Sequence, residues 1–148
     1  MKLVAKTILL VEDNHQDETL ILRTLRKVNV ANRVDVVRDG QQALDYLFCE
    51  REFAGREATD LPVVVLLDIN LPRIDGLEVL ARLRVDPRTR LLPVVILTSS
   101  DEDRDRLKSY ETGANSFVRK PVDFALFAEI VARLGIYWSA TNVPPGSS

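Results

Sequence analysis

The chain has 148 residues, 46% of them hydrophobic and 28% charged, with 6 Gly and 7 Pro. That is enough for one well-buried core on the usual scale of roughly 100 to 200 residues per domain, and the composition excludes the disordered and fibrous classes. Lys and Arg number 20 against 22 Asp and Glu, a net charge of −2, so there is no basic field to hold nucleic acid.

Short apolar, β-branched runs recur along the chain at residues 7–11 (TILLV), 33–37 (RVDVV), 63–67 (VVVLL), 94–97 (VVIL) and 116–118. They are too short for helices and rich in strand-favouring residues. The segments between them carry helical spacing, as in Leu44, Leu47 and Phe48, or Leu77, Leu80 and Leu83. Residues 50–62 (EREFAGREATDLP) read as a longer polar connection. Strand then helix, five times over, is the predicted order. Unbroken runs such as VVVLL suit strands covered on both faces, so the expected fold is α/β, a parallel sheet between two helix layers.

On the last helix, beginning near Asp123, Phe124, Phe127, Val131 and Leu134 recur at helical steps and form one stripe for the sheet. Leu126, Ile130 and Tyr137 fall on a second line, which is expected to be exposed in a monomer. A second apolar line suits a symmetric contact between helices. A homodimer through the fourth helix, fifth strand and fifth helix is therefore predicted, with Tyr137 and Trp138 extending it; the plainer alternative folds those two aromatics back over their own domain. The expected organisation is one domain over 1–148, with a core of about 6–138 and a flexible tail over 139–148.

One cysteine, Cys49, and one histidine, His15, exclude an internal disulfide framework and leave no thiolate or imidazole set for zinc. Cys49 is expected on a helix, partly buried, and His15 in an exposed loop, neither with a function. A reducing, cytoplasmic compartment follows. No stretch approaches 18 apolar residues and no secretory leader is evident, so neither export nor a membrane span is expected.

In such sheets the chemistry gathers outside the carboxyl ends of the strands. Glu12 and Asp13 follow the first strand, Asp68 the third, Thr98 the fourth and Lys120 the fifth. Converging carboxylates repel at low effective dielectric unless a cation joins them. An all-oxygen site suits Mg²⁺, which bridges carboxylate and phosphate oxygens and so points to phosphoryl chemistry. Lys120 and the Thr98 hydroxyl are then donors to phosphoryl oxygens, and Asp68 is left as nucleophile. Against this stands helix capping, since an acid at a strand end is commonly a cap and Thr98 is followed by Ser99, Ser100 and Asp101. Capping does not account for Lys120 before Pro121.

At these residues the sequence resembles the receiver domain of bacterial two-component response regulators. The motifs are ILLVEDN (8–14), LLDINLPRIDG (66–76), VVILTSS (94–100) and GANSFVRKPVD (113–123), in order, and the likeness covers roughly residues 6–136. It implies a (βα)5 flavodoxin-like sandwich with strand order 2-1-3-4-5. It also implies that Asp68 is the phosphoacceptor for a sensor histidine kinase, with Glu12, Asp13, Asp68 and the Asn70 backbone carbonyl holding Mg²⁺. Thr98 and Phe117 would be the switch pair, with Phe where receivers often carry Tyr, and Lys120 would pair with the phosphoryl group. Asn70 and Ser100 stand where side chains govern its lifetime. The resemblance implies a signalling protein rather than an enzyme, switched on its helix 4/strand 5/helix 5 surface. Residues 50–62, the stretch RKPVDFALF and the ending Ile136-Tyr137-Trp138 resemble stand-alone receivers serving phytochrome-type kinases.

Two other readings make distinct demands. A Mg²⁺-dependent aspartyl phosphatase of the haloacid-dehalogenase kind needs a second acid two residues after the nucleophile, and Asn70 stands there. A phosphorylation-independent interaction module is marked by a missing acid, threonine or lysine, and none is missing. Only about ten residues follow Trp138, so no output domain is expected and regulation is expected to pass through another protein.

Overall fold

The computed structural model describes residues 7–28, 33–57, 59–99, 103–120 and 124–134. The strands are β1 (Thr7–Val11), β2 (Arg33–Val37), β3 (Val64–Asp68), β4 (Val94–Thr98) and β5 (Ser116–Arg119). They alternate with α1 (His15–Val28), α2 (Gly40–Phe48), α3 (Gly76–Val85), α4 (Asp103–Thr112) and α5 (Phe124–Leu134). All strand pairs are parallel, in the order β2-β1-β3-β4-β5. This is the expected flavodoxin-like sandwich.

Both sheet faces are apolar because alternate residues of each strand serve different helix layers. Leu9, Val11, Val65, Leu67 and Ile96 pack with Leu44, Leu47, Val79, Leu80 and Leu83 of α2 and α3. Ile8, Leu10, Val64, Leu66, Leu97 and Val118 pack with Ile21 and Leu25 of α1 and Phe127 and Ile130 of α5.

Local chemistry starts the helices where the strands end. Asn14 Oδ1 accepts from the Asp17 N–H at 2.9 Å, opening α1. Asp39 caps α2 through the Gln42 N–H at 2.8 Å, and Asp75 caps α3 through the Glu78 N–H at 2.9 Å. Gly76 lets α3 begin against the end of β3, since a Cβ there would lie 2.1 Å from the Asp68 carbonyl oxygen.

Several expectations are corrected. β3 is shifted by one residue, since Asp68 still pairs with Leu97 of β4, and Asp68 and Thr98 are the last residues of their strands rather than the first beyond them. Cys49 is not in α2 but is its left-handed cap at φ 57°, and His15 is the exposed first residue of α1 rather than a loop residue. The segment after α2 begins with a 3₁₀ turn, Arg51–Phe53, whose Phe53 meets the Tyr46 ring edge-on at 5.2 Å.

The correction on α5 concerns Ile130. It was expected on an exposed line with Leu126; instead it is 3% exposed and sits in the core beside Phe127, three residues earlier, whereas Leu126 is 44% exposed. A three-residue step keeps two side chains on one helix face, and the sheet-facing stripe of α5 is wide enough to include both. Tyr137, Trp138 and the 139–148 tail lie outside the described residues.

Candidate functional site

The register of the ladder builds the site. Val11 pairs with Leu67, so Glu12 and Asp68 are next in step; Thr98 pairs with Arg119, and the Lys120 N–H continues that ladder to Thr98 O at 2.8 Å. Alternation then sorts the side chains. Glu12 follows Ile8 and Leu10, Asp68 follows Val64 and Leu66, and Lys120 follows Val118, all of which face α1 and α5. Thr98 follows Ile96, whose cross-strand partner Phe117 packs half-buried on the α2/α3 side. The expected acids and lysine thus share one face at the strand ends, and the expected switch pair shares the other.

The Lys120 side chain is buried to 8% exposure, with its ammonium 2.6 Å from Glu12 Oε1, 2.9 Å from Asp68 Oδ2 and 3.0 Å from Asp17 Oδ2. Asp68 Oδ1 accepts from the Asn70 N–H at 3.1 Å, and Glu12 Oε2 from the Asn14 N–H at 3.2 Å. Burial lowers the ammonium's proton affinity, but the three acids outweigh it and hold the Lys120 pKa above its ordinary value. Glu12 is raised as well: burial raises its pKa, Lys120 only partly offsets that, and the neighbouring Asp68 charge adds to it, leaving it at about 7.

Glu12, Asp13 and Asp68 each offer an oxygen within 4.8 Å of the others. Buried Glu12 Oε1 touches the ammonium by distance yet makes no directed hydrogen bond, so a lone pair remains for another partner. Three carboxylates meet one ammonium here and Asp13 lies beside them, an imbalance that a divalent cation relieves. Hard oxygen donors with one buried orphan lone pair fit Mg²⁺ or Mn²⁺.

Asn70 is exposed two residues beyond Asp68, Asp13 is exposed at the rim, and Thr98 is fully buried. Ser100 lies outside the described residues. Asp17 was not anticipated. Its signal was faint: an acid in the first turn after Asn14, four residues beyond Asp13, reads as a helix-dipole residue unless Lys120 is known to lie opposite.

Residues 8–132 match the family described as the response regulator receiver domain. The chain is 41% identical to the probable methanogenesis regulatory protein FilR2 of Methanothrix harundinacea over 139 residues, 94% of this chain and 87% of that protein. It is 33% identical to the response regulator Rcp1 of Synechocystis sp. over 142 residues, 96% and 95% of the two chains. The Mn(2+)-bound crystal structure of Rcp1 matches with a TM-score of 0.74, at 33% identity, over 93% of this chain and 97% of that one. The bacteriophytochrome response regulator RtBRR matches at 50% identity with a TM-score of 0.84, over 98% of this chain and 87% of that one.

Proposed function

Since the chain belongs to the response regulator receiver domain family, we propose that it is the phosphorylated switch of a two-component relay, serving a sensor histidine kinase of the phytochrome type. The carrying observation is that Asp68 presents a buried carboxylate to Lys120 at 2.9 Å beside the orphaned oxygen of Glu12. Such an arrangement can accept a phosphoryl group. An Asp68 oxygen attacks phosphorus as the P–N bond of the kinase's phosphohistidine breaks, the electron pair leaving with the imidazole nitrogen. Lys120 then donates to a phosphoryl oxygen, and the Thr98 hydroxyl donates to another. Glu12, Asp13 and Asp68, with the Asn70 carbonyl, would hold Mg²⁺, which neutralises charge on the transferred group.

The acylphosphate adds about −1.5 to −2 charge at the end of β3. Thr98 and half-buried Phe117 lie on one sheet face and carry that change towards α4, β5 and α5. Leu107, Tyr110 and Leu126 are exposed on α4 and α5, and a second copy of the chain is the partner proposed for that surface, extended by Tyr137 and Trp138. The chain acts as a phosphoacceptor on its own aspartate, with Asn70 and Ser100 tuning the lifetime, as a single receiver domain in the cytoplasm. Among the described residues no helix is long and apolar enough to cross a membrane. Support for the phytochrome link is the likeness to RtBRR.

The test is intact mass after incubation with acetyl phosphate. An added phosphoryl group is expected on the wild type with Mg²⁺, and not with chelator or on Asp68→Asn. A wild type that stays unmodified under rapid quenching overturns the reading in favour of a phosphorylation-independent module.

A further inference from the structure

Of the three acids on Lys120, two are committed elsewhere in phosphoryl transfer. Glu12 belongs to the group that can hold the metal ion, and Asp68 becomes the ester. Asp17 belongs to neither: it is outside the set of oxygens that converge within 4.8 Å, yet its Oδ2 accepts from the Lys120 ammonium at 3.0 Å across a sequence separation of 103. It is held firmly. Its N–H is fixed by Asn14 Oδ1, and the next residue, buried Glu18, pairs with Arg38 beyond β2.

During transfer an Asp68 oxygen gains a P–O bond and loses its charge, while the donor's bond to phosphorus breaks and the donor keeps the electron pair. The Asp68 hold on Lys120 weakens at that moment. A four-carbon side chain released from its anchor regains rotamer freedom and must be re-aimed. The contact from α1 comes instead from an acid that neither becomes the ester nor belongs to the converging oxygen set.

We propose that Asp17 is a positioning residue that tethers the Lys120 ammonium to the first turn of α1, so that the lysine stays aimed at Asp68 as the phosphoryl group arrives. This rests on Asp68 being the phosphoacceptor. Asp17 also places a negative charge near an incoming anionic donor. Its neutralisation therefore lowers the maximal rate without weakening donor binding; a smaller folded fraction gives the same split, and the Lys120 background and the Asp17→Glu rescue separate the two.

The test follows the rate of mass gain from acetyl phosphate at saturating Mg²⁺, using the full chain. For a partly exposed charged hydrogen bond, Asp17→Asn is expected to slow the maximal rate about three- to tenfold. The KM for acetyl phosphate does not rise, and Asp17→Glu recovers most of the rate. In a Lys120→Ala background Asp17→Asn has no further effect, because the residue acts through the lysine. Glu78→Gln, which removes an exposed charge on α3 away from the site, leaves the rate unchanged. An Asp17→Asn protein at the wild-type maximal rate overturns the proposal, as does an equal slowing in the Lys120→Ala background or in Glu78→Gln. A wild type that gains no mass overturns the phosphoacceptor reading itself, and the tether with it.

Discussion

Lys120 Nζ and Asp68 Oδ2 lie 2.9 Å apart although a whole strand, β4, separates the strands that lead to them. The long lysine side chain reaches across the end of β4 and becomes the cation around which three elements place their acids. Its removal leaves Glu12, Asp17 and Asp68 facing one another.

Lys120→Met is therefore expected to destabilise the metal-free protein by about 3 kcal/mol, the scale for breaking a buried ion pair. Saturating Mg²⁺ is expected to recover part of this, because a ligand that binds only the folded state stabilises it by mass action. Urea denaturation with Mg²⁺ and with chelator measures both quantities. Equal losses in the two conditions would contradict the picture of one anionic pocket shared by lysine and metal.

Mg²⁺ binding is expected to strengthen as pH rises towards neutrality. Glu12 has its pKa raised to about 7, first by burial and then by Asp68, so below that value a proton competes with the metal for the same carboxylate. For the metal-free protein the sign is the reverse. The folded state holds the Glu12 proton more tightly than the unfolded chain does, so the contribution of this group to stability falls between about pH 4.5 and 7 and is level above that. Calorimetric titrations at pH 6 and pH 8, in buffers of different ionisation enthalpy, detect the weaker binding and the released proton.

Leu126 and Ile130 are expected to respond oppositely to a charge. Leu126→Asp places it on an exposed surface and leaves the fold intact while weakening self-association. Ile130→Asp buries it against Phe127 and costs more than about 4 kcal/mol, enough to unfold many domains of this size. Circular dichroism separates the fold effects, and sedimentation of wild type and Leu126→Asp reads the association.

Tyr46→Phe is expected to cost about 1 kcal/mol, the net value of a buried hydrogen bond. The Tyr46 hydroxyl donates to Asp35 Oδ2 at 2.5 Å, and the Arg56 guanidinium lies 3.7 Å from the ring centroid. Burial and the Asp35 charge both hold the phenol's pKa above its ordinary value. The tyrosine stays neutral from pH 6 to 9, and the loss measured by urea denaturation should be the same across that range.

The strands, their parallel arrangement and the residues at their ends were legible in the sequence because each is a local property. A short β-branched run becomes a strand, an unbroken one is covered on both faces, and chemistry collects where strands stop. Glu12, Asp13, Asp68, Thr98 and Lys120 could therefore be named from position along the chain alone. Relations set by packing could not. Whether Ile130 faces the sheet depends on how wide a stripe of α5 the core covers, and periodicity supplies the angle between side chains but not that width. That Phe53 turns back onto Tyr46 required the 3₁₀ turn after the left-handed Cys49. Asp17 reached the site only because α1 and the end of β5 meet across the sheet, 103 residues apart in sequence. Tertiary structure decides such contacts because side-chain charge reaches only a few ångströms with useful strength, and only the folded chain brings these groups that close.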